Sequence, residues 1–179
     1  MSKNKTKSKN YLVNGNFSTG DFSHWTANNH HTPMSVELRD FNYVARLSGG
    51  RTLGQNLASD PFKTAPGDFR FSFNIQAPEA VPLIDSKSRR VHITGARENS
   101  DPLVNAFVVY TIWATSPIDG ESEAWSGLIY VGPQNKLVTV EGTLQPGYQH
   151  VDVHLAIPND PFGNKGPYYL DDIQFLMPA

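Results

Sequence analysis

Phe69, Phe71, Phe73 and Ile75 stand at every second position of one short segment, with Arg70, Ser72, Asn74 and Gln76 between and after them. A spacing of two places the two sets on opposite faces of an extended strand, so the segment has one oily side and one polar side. Val151, Val153, Leu155 and Ile157 repeat the pattern, with His150, Asp152 and His154 between them. Strands of this kind bury their apolar faces against another sheet, and the simplest arrangement that serves both is a two-sheet sandwich. No stretch shows a sustained helical stripe with caps, while short runs rich in Val, Ile, Phe, Tyr and Thr recur between Gly, Pro and Asn. Strands are expected over Tyr11 to Val13, Met34 to Leu38, Tyr43 to Leu47, Gly54 to Leu57, Phe69 to Gln76, Val91 to Thr94, Val104 to Ala114, Leu128 to Tyr130, Lys136 to Thr143, Gln149 to Ile157 and Tyr168 to Leu176. Val104 to Ala114 is apolar on both faces, which marks a central strand with Tyr110 and Trp113 on opposite sides. The fold class is all-β.

The bounds agree with one domain. A chain of 179 residues buries one sizeable core without covalent staples. Cysteine is absent, which excludes disulfides and thiolate metal sites. Four of the fifteen basic residues are Lys3, Lys5, Lys7 and Lys9, so the remainder carries eleven bases against seventeen acids, a balance that argues against a nucleic-acid partner. Residues 1–10 read as a disordered basic leader and residues 11–179 as a single β-sandwich domain. The start lacks the apolar stretch of a secretory signal, and no run approaches the ~20 apolar residues that span a bilayer. The expectation is a soluble chain, cytoplasmic unless exported by a non-classical route. The longest irregular stretches are expected at Pro78 to Arg90 and Thr115 to Ser126.

Two terminal motifs carry a family resemblance. Leu12-Val13-Asn14-Gly15-Asn16-Phe17, followed by Gly20, Phe22 and Trp25-Thr26, resembles the start of carbohydrate-binding modules with a galactose-binding-like jelly roll, of the type of families 4, 9, 16 and 22. Tyr168-Tyr169-Leu170-Asp171-Asp172-Ile173 is similar to the final strand of the same group, and Leu53-Gly54-Gln55 with the Pro66-Gly67 turn is similar to its middle. The resemblance covers most of Tyr11 to Phe175 and is weak from Pro78 to Gly147. It implies a jelly-roll sandwich whose first and last strands meet in one sheet. It also implies a structural calcium, with Asn16 and Asp171 at the matching ligand positions and with carbonyls and waters completing the shell. The alternative reading of Asp171 is an acceptor for backbone N–H groups of the first turn. Trp25 is expected to be a core plug beneath that turn.

Sugar binding needs flat aromatic surface ringed by amides, carboxylates and other polar groups. Ser72, Asn74 and Gln76 together with His150, Asp152 and His154 are the candidate polar floor, with Trp113 and Trp125 as stacking residues. Trp125, in an acidic Gly- and Ser-containing segment read as a loop, is the leading single ligand residue. His30, His31 and Gly163 to Gly166 read as surface and turn features.

Catalysis lacks its signatures. His150 and His154 are separated by about 13 Å along an extended strand, too far to share one ion. There is no His-Glu-x-x-His, no Gly-x-Ser-x-Gly and no phosphate-cradling Gly-Lys-Ser/Thr. Asp171 and Asp172 point to opposite faces by alternation, and Glu121 and Glu123 read as a solvated acidic loop, so the paired carboxylates of a glycosidase are missing. The expected function is noncatalytic, lectin-like binding of an oligosaccharide or polysaccharide by stacking aromatics and a polar sheet face. The alternative is a structural, assembly or toxin-associated protein that uses the same fold for protein contacts or self-association.

Overall fold

The computed structural model describes residues 7–29, 34–48, 54–81, 106–158 and 166–179. Among them are twelve strands and no helix: β1 (Ser8–Asn10), β2 (Trp25–Asn29), β3 (Ser35–Arg39), β4 (Asn42–Leu47), β5 (Gln55–Ser59), β6 (Phe62–Lys63), β7 (Gly67–Gln76), β8 (Phe107–Thr115), β9 (Ser122–Tyr130), β10 (Lys136–Leu144), β11 (His150–Ile157) and β12 (Tyr168–Pro178). One sheet runs β10-β7-β12-β4-β3 with β1 paired to β12, and the other runs β2-β5-β11-β8-β9 with β6 paired to β11. Every pairing is antiparallel. The first sheet is called sheet A and the second sheet B.

The two alternating segments supply the facing halves of the core. From β7, Phe71, Phe73 and Ile75 are fully buried, and from β11 so are Val151, Val153, Leu155 and Ile157. Burying each such side chain contributes about 1.5–3 kcal/mol against the chain entropy lost on folding. Phe175 of β12 stacks on Phe69 at 4.9 Å between ring centroids, and Phe69 meets the edge of Trp125 from sheet B at 5.1 Å. Gly142 makes that contact possible, because a Cβ there would lie 2.6 Å from the Phe69 ring and 3.0 Å from the Trp125 indole nitrogen.

The first turn is an organised polar loop. Asn14 Nδ2 donates to the carbonyls of Asp21 and Ser23, and the Thr19 amide donates back to Asn14 Oδ1. Asp21, held by Ser23 and Thr19, has its carboxyl lowered to about 2. Trp25 is buried as expected, its indole N–H donating to the carbonyls of Val13 and Asn14 while its ring packs on Phe17. The turn docks on a bulge in β12, where the pairing with β7 shifts between Asp171 and Gln174. There the Ile173 amide donates to the Gly15 carbonyl at 2.9 Å.

Some boundaries differ from the sequence expectation. Tyr11 to Val13 is not a strand; Ser8–Asn10, assigned to the leader, is one, because it pairs with Leu176 to Pro178. Tyr11 instead donates its amide to the Phe175 carbonyl outside any strand. Only the first half of Thr115 to Ser126 is irregular, since β9 starts at Ser122 and pairs with β8 along its length. The expected strand Val91 to Thr94, the histidines His30 and His31, and most of Pro78 to Arg90 lie outside the described residues.

Gly15 gives a direct test of the docking. An added Cβ would stand 1.9 Å from the Ile173 carbonyl oxygen, a main-chain atom that cannot swing aside. Gly15→Ala is expected to cost about 2 to 3 kcal/mol in urea unfolding. Gly132→Ala, where the added carbon meets nothing within 4 Å, should be near neutral. Equal midpoints for the two variants would show that the turn does not need the contact.

Candidate functional site

The outer face of sheet B is read from strand register. Because Ile112, Ala114 and Val151 to Ile157 at odd positions face inward, Thr111 and Trp113 of β8 and Asp152 and His154 of β11 face outward. Trp113 is paired with Asp152 on one side and Ala124 on the other. The next row along the strands is Thr26, Ala58, His154, Thr111 and Ser126, and the one after it Asn28, Asn56, Ala156, Val109 and Leu128. Trp113 is 42% exposed among these mostly small neighbours, so a flat aromatic ring rises from a low floor.

Polar groups on that floor form a chain. Asn56 Nδ2 lies 3.2 Å from His154 Nδ1, and His154 Nε2 lies 2.5 Å from Asp152 Oδ2. The Asp152 and His154 side chains are about three-quarters buried. Both imidazole nitrogens are therefore occupied, which leaves neither to activate the Thr111 hydroxyl across the strand pair. Among the described residues, Asp152 is the one carboxylate that the strands of this face direct outward, whereas glycoside hydrolysis uses two. The arrangement presents hydrogen-bonding edges and an aromatic plane, the chemistry of holding a hydroxylated ring.

The other candidates separate. Asn74 and Gln76 are on β7, hence on the outer face of sheet A, on the opposite side of the sandwich from Asp152 and His154. The single floor expected from sequence is thus two faces, since alternation tells which residues leave the core but not which sheet they leave from. Gln76 Nε2 donates to the Pro133 carbonyl at 2.7 Å, and Asn74 Nδ2 reaches Asp172 Oδ2 at 3.4 Å. Trp125 is not on a loop: β9 places it opposite Ile112, half-buried, with its ring against Phe69 at the edge of the core. Glu123 also lies on β9, with a buried Oε2 that has no hydrogen-bond partner, rather than in a solvated loop. Burial and the nearby Glu121, Glu123 and Asp119 carboxylates push the Tyr148 phenol up.

Asn56 was not anticipated, and the reason is local. Its strand reads Gln55-Asn56-Leu57-Ala58-Ser59, with polar residues at both inward ends. Gln55 is buried because Oε1 accepts the Ser48 amide, and Ser59 because Oγ accepts the Val153 amide. Satisfied polar groups inside the core hide the alternation that would have set Asn56 outside.

The residues that the resemblance implies as calcium ligands hold hydrogen bonds within the protein. Asn16 Oδ1 accepts the Ser18 amide, Asp171 Oδ1 accepts the Asp172 amide, and Asp171 Oδ2 accepts the Asn42 side chain. The Gly15 carbonyl accepts the Ile173 amide. No group of three or more acidic or histidine side chains that could hold a metal occurs among the described residues. Asp171 therefore bonds its neighbour and Asn42, not the first turn.

The sequence matches no protein-family model and no curated protein. Solved structures do match. The enzymatically active domain of bacteriophage CBA120 tailspike protein 4 has a TM-score of 0.66 at 12% identity, over 94% of this chain and 21% of that one, so this chain spans about a fifth of it. A family 61 carbohydrate-binding module in complex with β-1,4-galactotriose has a TM-score of 0.56 at 15% identity, covering 93% of this chain and 97% of that one. A family 22 xylan-binding domain from Paenibacillus barcinonensis has a TM-score of 0.53 at 15% identity, covering 99% of each chain. Family 16 and family 4 modules match as well. The fold is the jelly-roll sandwich of carbohydrate-binding modules.

Asp171 generates a prediction with a definite sign. Burial, then the adjacent Asp172 charge, raises its carboxyl above the ordinary value of 3.8. A carboxyl raised on folding contributes stability below its unfolded value and loses it as pH rises through the folded one. Asp171→Asn, with the Asn42 amide turned to keep the bond, is thus expected to be more stable than wild type at pH 7, the advantage disappearing below about pH 4. Thermal melts across that range check it, and calcium should shift neither protein. A calcium-dependent rise in the wild-type melt that Asp171→Asn abolishes would restore the metal reading.

Proposed function

We propose that the chain is a noncatalytic glycan-binding module whose ligand lies on the outer face of sheet B. The observation that carries the reading is Trp113, a half-exposed indole set directly opposite Asp152 on a floor of small side chains. An aromatic plane of that kind covers the apolar face of a pyranose, while Asp152, Asn56 and the Thr111 hydroxyl supply edges for its hydroxyl groups. Support comes from the fold's company: modules of the same architecture are described in complex with galactotriose or as xylan-binding. Trp125 has a different role, joining the two sheets through Phe69.

A screen of the protein on a glycan array, followed by calorimetry on the hits, tests this. Trp113→Ala is expected to keep the wild-type melting temperature and weaken glycan binding by about tenfold or more. Trp125→Ala should instead destabilise the fold by about 2 kcal/mol or more. Binding unaffected by Trp113→Ala would remove sheet B's face from consideration.

A second reading, a structural or assembly module, has one observation of its own. The β3–β4 hairpin ends in Asp40 and Phe41, both at positive φ, with Phe41 wholly exposed and the cross-strand pair Leu38 and Tyr43 exposed beside it. A two-residue hairpin turn needs positive φ at both central positions, which Asn, Asp and Gly usually fill, so an exposed phenylalanine there is unusual. If the tip is a protein contact, scattering will show an oligomer that Phe41→Ser dissociates. A monomer at all concentrations, alongside array hits, leaves the glycan reading in place.

A further inference from the structure

This inference rests on the glycan-binding reading of sheet B's outer face and concerns what that face selects. A neutral imidazole has one N–H, and a carboxylate can only accept. The proton of His154 therefore sits on Nε2, donated to Asp152 Oδ2 at 2.5 Å, and Nδ1 must accept from Asn56 Nδ2 at 3.2 Å. The direction of all three groups follows from the carboxylate at the end. Among the described residues, two acceptor oxygens are left unspent, Oδ1 of Asp152 and Oδ1 of Asn56.

We propose that the Asn56–His154–Asp152 chain is the specificity determinant of this face: it favours sugars that offer hydroxyl protons and disfavours uronates, and protonation of His154 relaxes the choice. A second proton on the ring goes to Nδ1 and makes it a donor. Two donors cannot share a hydrogen bond, so Asn56 rotates its amide, gives Oδ1 to the ring and turns its NH₂ to where Oδ1 had been. The imidazolium also neutralises Asp152, the group that repels a ligand carboxylate.

The ionisable surroundings are few. On β11 the neighbours are Asp152 and His150; β8, β9, β5 and β2 direct none onto this face within their strand residues; β6 contributes Lys63, paired with His150. The His24–Asp60 pair lies at the strand ends, one residue before β2 and one after β5, at 3.3 Å from each other. His154 is the histidine that touches both Asp152 and Asn56.

The test has two arms, each run at pH 8 and at pH 5. In the first, the Asn56 side-chain amide is followed by NMR without ligand; a resonance change that follows the His154 ring is expected, and an amide indifferent to pH overturns the proposal. In the second, array binding of neutral oligosaccharides is compared with that of uronate-bearing ones. Wild type is expected to prefer the neutral set by about tenfold at pH 8 and by much less at pH 5. His154→Gln should show one preference at both pH values, and His24→Gln, at the strand end and outside the Asn56–His154–Asp152 chain, should follow wild type. A wild-type preference that ignores pH, or a shift that survives in His154→Gln, overturns the proposal while leaving glycan binding intact. Loss of the glycan reading itself would show separately, as Trp113→Ala binding like wild type, and the NMR arm would still decide the behaviour of the chain.

Discussion

The hydrogen bond from the Ile173 amide to the Gly15 carbonyl joins the first turn of the domain to its last strand, at a point where there is no space for a β-carbon. Much else depends on it. β12 is flanked by β7, β4 and β1, so fixing its bulge fixes the register of the middle of sheet A. The same turn holds Phe17 and Trp25 over the interior, and through β2 it sets the edge of sheet B. Three residues of the Asn-Gly-Asn-Phe motif have structural roles here: Asn14 caps carbonyls of the loop, Gly15 permits the contact, and Phe17 enters the core.

With the sheets fixed, their two outer faces differ in how much of their polar capacity is already used. On sheet A, Gln76 is bonded to Pro133, Asn74 reaches Asp172, Arg46 pairs with Glu37, and the Arg39 guanidinium lies 3.6 Å over the Tyr169 ring. These contacts stabilise the surface and leave it few edges to offer. On sheet B the polar chain is short and ends in open acceptors next to an exposed indole. Affinity follows from groups that are positioned and not yet satisfied, which is why the proposed ligand is assigned to the second face and not the first.

The legible part of the molecule was the part governed by apolar alternation. Phe69 to Ile75 and Val151 to Ile157 were read correctly as strands with one buried apolar face, because no polar residue interrupts that face in either. Trp113 could be assigned to the face opposite Tyr110, although only the structure shows Trp113 as the outward one. Reading failed where a residue's type conflicts with its place. Trp125 looked like an exposed ligand residue because Ser, Gly and Glu surround it, yet Ser122 and Ser126 point away from the core, Glu123 turns inward with a buried Oε2, and Gly127 makes room for Tyr110. Asn56 was hidden by the buried Gln55 and Ser59. No periodicity states which sheet a strand joins, so Asn74 and His154 were placed together though they are a sandwich apart.

Size alone would have pointed elsewhere. A groove of about 620 Å³ crosses the outer face of sheet A, from Glu141 and Thr143 over Arg70 and Asp68 to Leu176 and Ser8. Its volume is in the usual range for ligand sites, but its polar groups are turned on one another: Thr143 Oγ1 donates to Asp68 at 2.6 Å, and Arg70 faces Glu141 at 3.9 Å. A ligand entering there would have to break those contacts before forming its own, and no exposed aromatic plane would offset the loss. Sheet B offers an exposed indole beside polar edges. For a sugar, whose ring is flat and whose hydroxyls each need a partner, that combination favours sheet B.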